Sequence, residues 1–183
     1  MVALSVPEAF RLSREVASLP RDVRSQVRGA FDRAARRIIS AERPQLSGNC
    51  DDGPANHAAI ARWYESLELD CPLLRDGACM LYAARPTGCR TFLVTSPPRC
   101  CRPPEMKDGR RIPMPISLTE ALVQLSAEVE HVPPQAVLLP LVPLWCRANM
   151  RRDARTWPAE TLVTRFAEIV EQMASQWSGC RAS

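Results

Sequence analysis

Residues 71–92 read CPLLRDGACMLYAARPTGCRTF, and they lie in a longer region, Asp70 to Pro115, that has no helical periodicity. Prolines at positions 72, 86, 97, 98, 103, 104, 113 and 115 interrupt every long element there. Only Cys79–Ala83 and Thr91–Thr95 are predicted to form short strands. The region therefore needs a source of order other than a regular hydrogen-bond network.

Cysteines supply a candidate for that source of order. Six of the eight cysteines fall between positions 50 and 101: Cys50, Cys71, Cys79, Cys89, Cys100 and Cys101. A metal ion held by several thiolates fixes distant points of an irregular segment at once. Neighbouring arginines, among them Arg85 and Arg90, are suited to offset the negative charge of such a site. The spacings differ from the Cys-x2-Cys pairs of zinc fingers, so they leave the metal, zinc or iron, undecided.

Helical patterns flank the cysteine-rich region on both sides. A capping box of Ser5 and Glu8 predicts a first helix. The first helix is predicted to end at about Leu19, and the second to begin at Pro20. Three more helices are predicted, over Ala58–Leu69, from Ser117 onward, and over Pro158–Trp177. The predicted fold class is mainly α, a single helical domain around an irregular, metal-tied, cysteine-rich loop region with at most short strands. Within this one domain of residues 1–183, helices occupy 1–69 and 117–183, and the irregular core occupies 70–116.

The sequence of residues 71–92 resembles that of the YkgJ-type cysteine-cluster family, a zinc- or iron-chelating domain. The family's pattern has a Cys-Pro-hydrophobic-Leu start, then Gly-x-Cys, then Tyr-x-x-Arg-Pro-x-x-Cys-Arg. Ten positions here are similar to it, namely Cys71, Pro72, Leu74, Gly77, Cys79, Tyr82, Arg85, Pro86, Cys89 and Arg90. The resemblance implies that Cys71, Cys79 and Cys89 are metal ligands. Related cysteine clusters occur in a flagellin lysine methylase, which lends weight to a 4Fe-4S cluster.

The sequence departs from the family upstream of this stretch. The family has a dense cysteine run there, whereas residues 47–51 read SGNCD and keep only Cys50. Either Cys50 completes a four-thiolate site, or the site is rebuilt with Cys100 and Cys101. The first alternative needs no further assumption, because the loop from Asp51 to His57 spans up to roughly 23 Å. We expect one metal centre, with at most one of the vicinal pair taking part.

Other candidate residues have structural explanations. Cys146 lies in an apolar stretch and is predicted to be a core residue. Cys180 is near the C-terminus, where side chains are seldom constrained. His57, after the expected helix cap Asn56, is either a metal ligand or a surface histidine. No nucleophile–base pair stands out in the sequence, because His57 is the one candidate base near the cysteines. No reaction is therefore assigned.

Composition excludes several classes of protein. The 183 residues carry a net charge of +4, and 23 of the 24 basic residues are arginine. Either bidentate binding of phosphate or carboxylate or the codon bias of a GC-rich genome explains this arginine excess, and the abundance of alanine and proline favours codon bias. Charge alone therefore does not predict nucleic-acid binding. P-loop, dinucleotide and Gly-x-Ser-x-Gly motifs are missing from the sequence. Without a secretory signal or an unbroken apolar span, a cytoplasmic location with reduced thiols and no membrane partner is expected.

Two functional hypotheses follow from these patterns. In the first, the protein binds zinc or iron through cysteine thiolates, the metal orders the middle of the chain, and an unidentified protein partner binds elsewhere. In the second, it is an iron–sulfur protein with a redox or methyltransferase-like protein-modification role. An iron–sulfur cluster colours protein brown and a zinc site does not, so colour separates the two.

Overall fold

Helices make up most of the chain in a computed structural model that describes residues 1–44, 54–93, 95, 112 and 114–180. The α-helices are α1 (Val6–Ser18), α2 (Arg21–Ser40), α3 (Pro54–Ser66), α4 (Thr87–Arg90), α5 (Leu118–Glu130), α6 (Val142–Ala148) and α7 (Ala159–Cys180). Four two-residue strands accompany them, β1 (Ala3–Leu4), β2 (Leu74–Arg75), β3 (Ala78–Cys79) and β4 (Val137–Leu138). The predicted mainly α fold class is confirmed.

The first two helices form the main core as their sequence pattern predicts. The capping box is present at the start of α1, where the Glu8 carboxylate accepts the backbone N–H of Ser5 at 3.0 Å. Five apolar residues recur at helical spacing along α2: Val27, Phe31, Ala34 and Ile38 are buried, and Val23 is partly buried. Arg28, Arg33, Arg36 and Arg37 lie off that stripe, and all four are exposed.

Helices α5 and α7 pack on each other around a second, smaller core. Ala121, Leu125 and Ile169 are its buried residues. Four further apolar side chains at helical spacing along α7 are partly buried against it: Leu162, Phe166, Val170 and Met173. Arg165 links the two helices, because its guanidinium donates to both carboxylate oxygens of Glu128 at 2.6 and 3.0 Å. That contact lowers the pKa of Glu128.

Strand pairing differs from the sequence-based expectation. Strand β1 pairs antiparallel with β4, which joins the N-terminus to the segment between α5 and α6. A two-residue strand shows no alternation in sequence, so this pairing had no local signal. The predicted strand Thr91–Thr95 is wrong, since Thr91–Leu93 and Thr95 are not in a strand. Of the predicted strand Cys79–Ala83 only Cys79 is extended, and Tyr82–Ala84 forms a 3-10 turn.

Two helices also differ from the expectation. Helix α3 is shifted toward the N-terminus, from the predicted 58–69 to 54–66. Pro54 starts it, as proline is favoured in a first helical turn, and Glu68, with φ of 48°, lies beyond its end. Asn56 is therefore not the helix cap but a buried residue of α3. Helix α6 was not expected, because prolines at 133, 134, 140 and 143 interrupt the apolar stretch that contains it, yet Pro143 falls in its first turn, where proline is tolerated. Within the described chain, no helix has the length and apolar character needed to cross a bilayer.

Gly88 permits the close packing of α4 against β1 and α5. A β-carbon there would lie 3.1 Å from the Ala3 carbonyl oxygen and 3.3 Å from Thr119 Oγ1.

We expect Gly88→Ala to lower the free energy of unfolding by about 1 kcal/mol, since packed neighbours must shift. The matched control is Gly29→Ala in α2, whose new methyl would meet only the Arg33 side chain at 3.4 Å. That control should stabilise the protein by about 0.5–1 kcal/mol. Urea unfolding measures both changes, and equal stabilisation would contradict this packing.

Candidate functional site

A tight hairpin positions two of the predicted ligands. Asp76 and Gly77, with φ of 50° and 80°, form its turn, and positive φ at both central residues is the type I′ geometry favoured by Asp-Gly. Strand β2 pairs with β3 in a register that places Leu74 opposite Cys79. The Leu74 N–H also donates to the Cys71 carbonyl at 2.9 Å. Cys71 and Cys79 consequently lie at the open end of one hairpin.

Cys89 lies in the short helix α4, which follows the 3-10 turn Tyr82–Ala84. Its N–H donates to the Pro86 carbonyl at 3.0 Å, within the first turn of that helix. Arg90 holds the helix against the 3-10 turn, because its guanidinium donates to the carbonyls of Arg85, at 2.8 Å, and of Ala83. These two arginine bonds fix the direction in which the chain leaves the hairpin and enters α4.

Arg85 is the second arginine of this segment. Its guanidinium carbon lies 3.8 Å from the centre of the Tyr82 ring, a cation–π contact, and its Nε donates to the Tyr82 carbonyl at 3.2 Å. Arg85 and Arg90 thus both donate to backbone carbonyls within the segment, and Arg85 also contacts the Tyr82 ring.

Glu8 attaches the cysteine-rich segment to the helical core. One of its carboxylate oxygens closes the capping box with Ser5, and the other accepts the Thr87 N–H, the first of α4, at 2.6 Å. Leu73 and Leu81 anchor the same segment, since both are buried in the core formed with α1 and α2. Sequence reasoning missed the second role of Glu8, because a capping box accounts for only one of the two carboxylate oxygens.

The three described candidate ligands share one environment. Cys71, Cys79 and Cys89 are all half-buried and pack against the core formed with α1 and α2. Tyr64 of α3 lies near Cys71. Burial, and secondarily the negative charge of a Cys71 thiolate, raises the pKa of Tyr64 to about 12. Tyr64 of α3 therefore lies within electrostatic range of Cys71, a proximity that its sequence did not indicate.

The six predicted ligands are only partly placed by the structure. Cys50, Cys100 and Cys101 lie outside the described residues, as does the side chain of His57, whose backbone belongs to α3. Across the part of the chain that is described, no group of three or more His, Cys, Asp or Glu side chains is arranged to hold a metal ion. The metal site stays a prediction.

Cys146 lies apart from this segment, in the apolar core. It is buried, as predicted, and burial raises the pKa of its thiol to about 11. A buried thiol with a raised pKa is a poor nucleophile and a poor metal ligand.

Comparisons of the chain with protein families, with curated proteins and with solved structures found no match.

The contacts of Arg90 predict a local effect of its replacement. Lysine cannot place two N–H groups on the Ala83 and Arg85 carbonyls at once. We expect Arg90→Lys to cost about 1 kcal/mol and to speed hydrogen exchange at the Cys89, Arg90 and Thr91 amides roughly fivefold.

Arg75→Lys is the matched control, since Arg75 is exposed and its ion pair is with the adjacent Asp76 at 3.6 Å. This control should leave the exchange rates in α4 unchanged. Exchange unaffected in both variants would show that Arg90 does not hold the helix.

Proposed function

We propose that this chain is a metal-binding cysteine-cluster protein that holds zinc or iron through cysteine thiolates. The observation that supports the proposal is the shared setting of Cys71, Cys79 and Cys89. These three thiols fall within a short segment, are half-buried, and pack against one core. Thiolates are ligands that zinc and iron–sulfur clusters both accept. The resemblance of residues 71–92 to the YkgJ-type family belongs to the same proposal.

The local structure gives a metal a physical role. Between Cys71 and Arg90 the regular elements are two two-residue strands, a 3-10 turn and the four-residue α4. The hairpin and α4 are separate units joined by Tyr82–Ala84. A metal bound by thiolates from both units would cross-link them and remove conformational freedom from the unfolded segment. The positive charges of Arg75, Arg85 and Arg90 would offset part of the thiolate charge.

The early start of α3 limits how Cys50 can join the site. Because α3 begins at Pro54, four residue steps separate its first residue from Cys50, a span of at most roughly 14 Å. Pro54 to Tyr64, the residue near Cys71, is ten helical steps, or roughly 15 Å. Cys50 can therefore approach Cys71 if the chain runs back along α3. Fewer residues link Cys50 to the start of α3 than if the helix began at Ala58.

The proposal includes a cytoplasmic location, since a reducing compartment keeps thiols available as ligands. It includes neither nucleic acid nor a membrane as a partner. An iron–sulfur cluster with a redox or protein-modification role is the second form of the same proposal. Colour of the anaerobically purified protein separates iron–sulfur from zinc.

Ligand replacement tests the assignment. We expect Cys71→Ser, Cys79→Ser and Cys89→Ser each to lose most bound metal and to lower the melting temperature. The cause is that a serine hydroxyl is a much weaker ligand than a thiolate. Cys180→Ser is the matched control and should keep the metal content of the unchanged chain. Metal content and melting temperature unaffected in all three variants would refute the assignment.

Stoichiometry tests the design of the site. We expect one zinc per chain, or about four irons with matching sulfide for a 4Fe-4S cluster. Cys50→Ser should lower metal content, whereas Cys100→Ser and Cys101→Ser should not both do so. Elemental analysis of quantified protein measures this. Two zincs per chain, or metal content independent of Cys50, would contradict a single four-thiolate centre.

A further inference from the structure

A cavity of about 290 Å³ opens between α1, α2 and α6. Its floor is apolar, formed by Leu12 and Val16 of α1, Phe31 of α2 and Val142 of α6, each at most 5% exposed. The volume is near the lower end of the roughly 300–1,000 Å³ typical of ligand sites. Of the candidate metal ligands that the structure describes, Cys71, Cys79 and Cys89, none lines this cavity.

The rim of the cavity is charged. Arg28 and Asp32 of α2 and Arg147 of α6 line it. The ion pairs of the described residues involve none of these three side chains, and neither do their hydrogen bonds. Other arginines near these helices do have acidic partners, for example Arg14 with Asp153. Two arginines beside an apolar cavity, with no acidic partner among the described residues, are suited to bind an anion.

We propose that this cavity binds a small amphipathic carboxylate, with its apolar tail on the floor and its carboxylate between Arg28 and Arg147. Two arginines and one aspartate give the rim a net charge of +1, which matches a single negative charge. Guanidinium groups bind carboxylates through paired N–H donors. The apolar floor accounts for a hydrocarbon tail. The small volume favours a short chain over a whole lipid.

Calorimetric titration of the full chain with octanoate tests this proposal, with octanamide as the neutral ligand of the same shape. We expect saturable octanoate binding and octanamide binding at least tenfold weaker, as expected for hydrogen bonds to a charged group. Arg28→Gln and Arg147→Gln should each weaken octanoate binding about tenfold. Asp32→Asn should tighten it, because a like charge is removed.

Two further variants complete the test. Arg36→Gln, on α2 but away from the cavity, is the matched control and should leave octanoate affinity unchanged. Ala17→Leu places a larger side chain at the exposed edge of the cavity and should abolish binding while circular dichroism shows a folded chain. Equal affinity for octanamide, unchanged affinity in both arginine variants, or no saturable binding of octanoate would overturn the proposal. None of these outcomes bears on the metal site.

Discussion

The Glu8 carboxylate is the contact on which the arrangement of the cysteine-rich segment depends. One oxygen satisfies the N-terminus of α1 through Ser5, and the other accepts the N–H of Thr87 at the start of α4. A charged acceptor on a backbone N–H forms a short and strong hydrogen bond, worth about 1.5–3 kcal/mol. A single side chain therefore sets both where the first helix begins and where the segment that carries Cys89 docks.

Around this contact the segment is held by few interactions, each of a different kind. The Asp76–Gly77 turn shapes the hairpin, Leu73 and Leu81 anchor it in the core, and Arg90 ties α4 to the preceding turn. None of these interactions links Cys71 or Cys79 directly to Cys89. A metal bound by thiolates, as proposed above, would add a cross-link between the hairpin and α4.

Helix α1 contacts two different regions of the protein along its length. Its N-terminal turn, with Glu8, receives the cysteine-rich segment. Its later residues, Leu12 and Val16, form part of the cavity floor against α2 and α6. The two candidate sites are thus attached to one rigid element yet share no lining residue.

The sequence alone determined the helices whose signals are local. The Ser5–Glu8 capping box, the spacing of Val27, Phe31 and Ile38, and the Ser117 cap each depend on residues within a turn or two. The Asp-Gly turn was also readable, and the hairpin was missed because its strands are only two residues long. Only the tertiary structure decided the pairing of β1 with β4, the contact of Glu8 with Thr87 and the nearness of Tyr64 to Cys71. These contacts join residues far apart in the chain, and their strength comes from packing that no local pattern records.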